Sequence, residues 1–213
     1  MKYLDFKKAF KFLPYFTPSQ LVGEGWALPT IRKQLLDWEK KNNVIQLKKG
    51  LYCFSDSTLP FQREVIANRL VSPSYISLEF ALSRYGLIPE FGGAITSITT
   101  KKPQHFQTEL GAFSYRHVTL SLFDGFIEER LPSGLAYLMA KPEKAVLDFL
   151  YYRLPDINPA DSQIFDSSFR FQNLDSLDGD LLLRYAKASR VKKLVSVVEN
   201  LRQFISKEGY RPL

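Results

Sequence analysis

Residues 43–54 read Asn-Val-Ile-Gln-Leu-Lys-Lys-Gly-Leu-Tyr-Cys-Phe, two runs of strand-forming residues around a turn of two lysines and a glycine. So short a gap joins antiparallel neighbours, which makes Val44 to Phe54 a hairpin with Lys49-Gly50 in or beside its turn. What precedes the hairpin is helical. Tyr3, Phe6, Phe10 and Leu13 recur at helical spacing and end at Pro14. In Phe16-Thr17-Pro18-Ser19-Gln20-Leu21, Thr17 stands at an N-cap and Pro18 at the first helical position. Gln20 closes a capping box, and Phe16 and Leu21 stand where a hydrophobic staple would. Gly23-Glu24-Gly25 keeps that helix short. A third helix is expected over Leu28 to Lys41, with Leu28, Ile31, Leu35 and Trp38 on one face and Thr30, Lys33, Asp37 and Lys40 on the other.

Helix, short helix, tight turn, helix and a two-stranded ribbon is the order of a winged helix-turn-helix. In that module the third helix enters the major groove by its N-terminal turn. On this reading Thr30, Lys33 and Gln34 face base edges, Lys40 lies on the same face, and Lys48 and Lys49 at the ribbon tip hold phosphates. The bland alternative is a solvated helix face, with Asp37 paired to Lys33 or Lys41. Asp37 repels phosphate and marks where the helix leaves the groove. Arg32 falls near the core edge and has no assigned role.

Charge supports the first reading. The chain carries +7 overall; residues 1–55 hold ten Lys/Arg against four Asp/Glu, leaving about +1 for the other 158 residues. A basic end on a near-neutral body suits a polyanionic partner. With 213 residues, 45% of them hydrophobic, the chain can build sizeable cores. It has no apolar run of spanning length, and its N-terminus lacks the separated charged and apolar regions of a signal peptide. One cysteine, Cys53, excludes an internal disulfide, and a cytoplasmic location is expected. Two histidines and one cysteine argue against zinc, and no glycine-rich phosphate loop or nucleophile context is present. No cofactor, metal or enzymatic activity is expected. A metal nuclease built on Glu79, Glu143 and Asp148 with Lys144 has no support from spacing.

Ser55-Asp56-Ser57-Thr58-Leu59-Pro60 is the best boundary in the sequence. Beyond it, helices are expected over Phe61 to Val71, Ile76 to Tyr85 and Pro142 to Tyr151. Strands are expected over Ala94 to Thr99, Ala112 to Val118, Phe123 to Ile127 and Leu135 to Ala140. Residues 156–180 read as irregular and 180–207 as helical. The expected fold class is therefore α+β: a winged helix-turn-helix over residues 1–57, then a larger mixed α+β domain over 58–213 with a C-terminal helix.

The stretch Pro73-Ser74-Tyr75-Ile76-Ser77-Leu78-Glu79-Phe80-Ala81-Leu82-Ser83-Arg84-Tyr85-Gly86-Leu87-Ile88-Pro89-Glu90 resembles the hallmark of AbiEi-type antitoxins. Ile95 to Lys102, Phe113 to His117 and Ala140 to Ala145 resemble later segments of that family. With the front module the resemblance spans roughly residues 15–152; Phe80 departs from it, at a place where a small residue is expected. The resemblance implies an antitoxin that binds repeats in its own promoter, represses its operon and counteracts a nucleotidyltransferase toxin in defence against phage. It also implies functional candidates in the body: Tyr75, Ser77, Glu79, Thr96, Ser97, Lys101, Lys102, Glu143 and Lys144. Ser77 has an alternative reading as an N-cap, and Lys101-Lys102-Pro103 as a solvated turn. Two other functions stay open: a toxin-docking protein with secondary DNA binding, and a stand-alone winged-helix regulator.

Overall fold

A computed structural model describes residues 2–23, 27–59, 62–89, 91–132 and 134–208. Glu24-Gly25 of the expected helix break, Pro60 of the expected link and Glu90 lie outside them.

The front of the chain runs α1 (Tyr3–Phe10), α2 (Pro18–Gly23), α3 (Leu28–Lys40), β1 (Val44–Lys48) and β2 (Leu51–Phe54). The capping box forms as the sequence implies: Thr17 N donates to Gln20 Oε1 (2.8 Å) and Gln20 N to Thr17 Oγ1 (3.3 Å). These elements close on an aromatic centre. Phe6 stacks on Trp38 at 4.7 Å between centroids and meets Phe16 edge-on at 5.0 Å. Ile31 and Leu35 of α3 are buried beside them. The hairpin pairs Val44 with Phe54 and Ile45 with Cys53, and Gly50 takes φ 79 in its turn, a conformation that favours glycine.

The hairpin is buried on both faces. Val44, Tyr52 and Phe54 pack into the front core, while Ile45, Leu47, Leu51 and Cys53 pack into the core of the body. The period of two along each strand divides these sets. The expected link at Ser55–Pro60 therefore follows a ribbon that belongs to two cores. Gln62 Nε2 donates to Pro14 O (2.9 Å), and Lys7 pairs with Asp56.

The body is mixed α+β. Its six-stranded sheet has the order β5 (Gln104–Thr108), β6 (Gly111–His117), β4 (Ile95–Thr99), β3 (Ser74–Ile76), β8 (Ala136–Ala140) and β7 (Phe126–Arg130). The β4–β6 and β3–β8 pairs are parallel and the rest antiparallel. Helix α4 (Gln62–Leu70) covers one face, where Tyr115 Oη donates to Ala67 O (2.6 Å). Tyr115 lies across from Ser97, and Ser97 from Ile76. Tyr75, the residue before Ile76, points the other way, towards α6 (Pro142–Arg153). Helix α5 (Leu78–Arg84) packs beside α6, and α8 (Gly179–Ala188) and α9 (Lys192–Glu208) pack outside it.

Two expectations are corrected, and one strand is added. Ile76 is strand, not the start of a helix, because β3 pairs on both sides before the chain turns at Leu78 with φ 59. The stretch 180–207 is two helices, split where Arg190 takes φ 58. An edge strand, β5, occupies residues that sequence patterning left unassigned. The short α7 (Ile164–Ser167) is a single turn in the otherwise irregular run before α8.

Candidate nucleic-acid interface and buried polar centre

Helix α3 presents its expected outward row. Thr30, Arg32, Lys33, Leu36, Asp37 and Lys40 are exposed, while Ile31, Leu35 and Trp38 are buried. Gln34 is half-buried at the edge of this face. Arg32 and Leu36 were not assigned from sequence. At 100° per residue both continue the polar face, and Leu36, 54% exposed, is an apolar side chain within it. Among the described residues, Arg32, Lys33 and Lys40 make no ion pair, so the bland pairing of Asp37 with Lys33 or Lys41 does not form.

The two ribbon lysines part company. Lys49 is exposed at the tip. Lys48, expected beside it as a phosphate contact, turns inward and donates to Leu70 O (2.6 Å) at the end of α4, with Arg69 O at 3.4 Å. A cation on the unpaired carbonyls of a helix C-terminus is favourable. Burial, with the nearby charges of Arg69 and Lys101, pushes Lys48 below the usual lysine value.

Lys101, expected to serve in the body, faces the same cleft as Lys48. Thr17, Lys48, Arg69, Ser72, Lys101 and Gln104 are among the walls of a cavity of about 340 Å³. Arg69 was missed; its guanidinium lies 5.5 Å from the centroid of Tyr15. Lys102 is exposed on the turn beside Lys101.

The remaining candidates divide between one closed centre and scattered ties. Lys144, 0% exposed, donates to Asp148 Oδ1 (2.7 Å) and to Leu122 O (2.7 Å). Tyr75 Oη (3.0 Å) and Ser77 Oγ (2.8 Å) donate to Asp148 Oδ2. Burial raises the Asp148 carboxyl above its ordinary value, against the opposing pull of Lys144 and the hydroxyl donors. Burial likewise raises the Tyr75 phenol. Gly125, at φ 70, is required here, since a Cβ would come within 2.9 Å of the Lys144 chain. Ser77 stands at the N-cap position of α5 but makes no capping bond, because its hydroxyl goes to Asp148.

Thr96 Oγ1 donates to Ser77 O (2.6 Å) and accepts from Phe80 N (3.1 Å), bracing the β3–α5 turn. Glu143 Oε1 accepts from Asp178 N (3.0 Å). Glu79 lies 3.7 Å from Arg116; its Oε2 and Ser97 Oγ are buried and have no hydrogen-bond partner among the described residues. Glu79 and Glu143 thus have separate neighbours, and Glu143 ties α6 to the start of α8 rather than joining Asp148. Among the described residues no group of three His, Cys, Asp or Glu is placed to hold a metal ion. None has a helix long and apolar enough to cross a membrane.

No protein-family model matches this chain, and a search of curated proteins finds no match.

Proposed function

We propose that this protein binds double-stranded DNA through its front module, used as a winged helix-turn-helix, and represses its own operon from the cytoplasm as the antitoxin of an AbiE-type pair. Its second partner on this reading is a nucleotidyltransferase toxin. The observation that carries the DNA half is the outward row of α3. Among the described residues, Thr30, Arg32, Lys33 and Lys40 have no carboxylate partner, on a helix whose other face is locked into an aromatic core. A rigid helix with unpaired cations and one short hydroxyl at its first turn suits entry into a major groove. Leu36 adds an apolar contact of the kind thymine methyls accept. Lys49 is left as the phosphate contact of the tip.

The antitoxin half rests on the resemblance carried by Pro73 to Glu90 and the later segments. A toxin-docking role has one specific support. Leu4 and Phe12, 67% and 70% exposed in and just after α1, are apolar side chains open to a protein partner.

The test compares the full chain on a duplex from its own promoter and on a scrambled duplex of equal length. Thr30→Ala and Lys33→Ala lower discrimination between the two by about 1–3 kcal/mol for a base contact. Lys49→Ala weakens both duplexes alike. Discrimination unchanged in both α3 variants removes α3 as the reading element.

A further inference from the structure

We propose that the cleft between the hairpin tip and the body is a binding site for a small phosphate-bearing anion, a phosphate monoester or diphosphate of up to mononucleotide size. This proposal is independent of how α3 reads DNA. Three cations, Lys48, Arg69 and Lys101, converge from three separate segments on one cavity of about 340 Å³. Its described lining contains no Asp or Glu, and among the described residues none of the three makes an ion pair. Cations held together without a counter-charge repel one another, and a doubly charged anion relieves that repulsion. The volume falls in the range of small-ligand clefts.

Two of the cations are held by side-chain contacts before any ligand arrives, and the third by its backbone. Lys48 is held by Leu70 O and keeps further N–H capacity for an anion. Arg69 lies over Tyr15 and offers a planar fork suited to phosphoryl oxygens. The Lys101 backbone is fixed at both ends: its N–H donates to Thr99 Oγ1 (3.2 Å) and its carbonyl accepts from His117 Nδ1 (3.1 Å). Thr99 Oγ1 in turn donates to Pro73 O (2.6 Å). Thr17, Ser72 and Gln104 add uncharged polar groups to the wall. Such preorganisation lowers the cost of binding. The inward turn of Lys48 and the concave shape favour a small anion over the smooth rod of a duplex.

The test is calorimetric titration of the full chain with pyrophosphate and with adenosine monophosphate at low ionic strength. The expected result is saturable one-to-one binding of at least one probe, with Kd below about 1 mM. Arg69→Gln and Lys101→Gln each weaken it about tenfold or more, while Lys187→Gln, an exposed change on α8, leaves it unaltered. Thermal melting of each variant confirms folding; Lys48 is left intact because it holds the end of α4. No saturation by either probe up to about 10 mM overturns the proposal, as does equal weakening by Lys187→Gln, which would mean diffuse charge attraction. A duplex that displaces the probe, with Arg69→Gln and Lys101→Gln losing DNA affinity in proportion, also overturns it and assigns the cleft to backbone phosphates.

Discussion

Asp148 and Lys144 show what a buried charge requires of its surroundings. Each is almost wholly out of water, and three donors surround the carboxylate: Lys144, Tyr75 and Ser77. Asp148→Ala takes from the buried ammonium its 2.7 Å partner, leaving only the exposed Asp124 carboxylate at 3.9 Å, and is expected to cost about 3 kcal/mol in chemical denaturation. Adding Lys144→Met to it recovers much of that loss, because the stranded charge is gone. If the double variant is as unstable as the sum of the singles, the two groups do not act as a pair. The residue scale also explains an inert thiol: Cys53 is fully buried, and burial pushes it up to about 12.

At the scale of elements, α8 is opened by Asp178, whose Oδ1 accepts from Asp180 N and Leu181 N, both at 2.9 Å. Those backbone bonds hold its carboxyl below the ordinary value of 3.8. A depressed carboxylate contributes stability above its unfolded pKa and loses it as pH falls through the folded one. Asp178→Ala is therefore expected to lower the denaturation midpoint near neutrality. The gap to the parent protein closes as pH drops below about 4; a gap that is constant with pH contradicts the cap. Much of the element order was legible in the sequence wherever period and punctuation agreed. The capping box at Thr17, the alternation across Val44 to Phe54 and Pro142 at the head of α6 are such places. The turns at Leu78 and Arg190 were not legible, because neither leucine nor arginine signals a left-handed backbone. Thr30, Lys33 and Lys40 were placed outward by the helical wheel alone. Leu36 could have been found there too, as an apolar residue on a polar face. Lys48, Arg69 and Lys101 meet only through tertiary packing, so no local pattern reveals the cleft.

At the scale of the whole molecule, the hairpin is the joint. It gives one face to each core, so α3 is carried on a ribbon that the body also grips. Charge is divided along the same line, with most of the +7 excess lying in residues 1–55. If that end binds duplex as proposed, counterions are released and affinity falls steeply with salt, with a slope of about −0.9 for each phosphate neutralised. The most direct measurement is an anisotropy titration of promoter duplex with the full chain across a salt series, repeated with Lys33→Ala and Lys40→Ala combined. The account predicts a steep linear dependence for the parent protein, and in the variant a weaker affinity with a slope shallower by about one to two. A parent protein that binds duplex no more tightly at low salt than at high salt, or a variant with an unchanged curve, contradicts it.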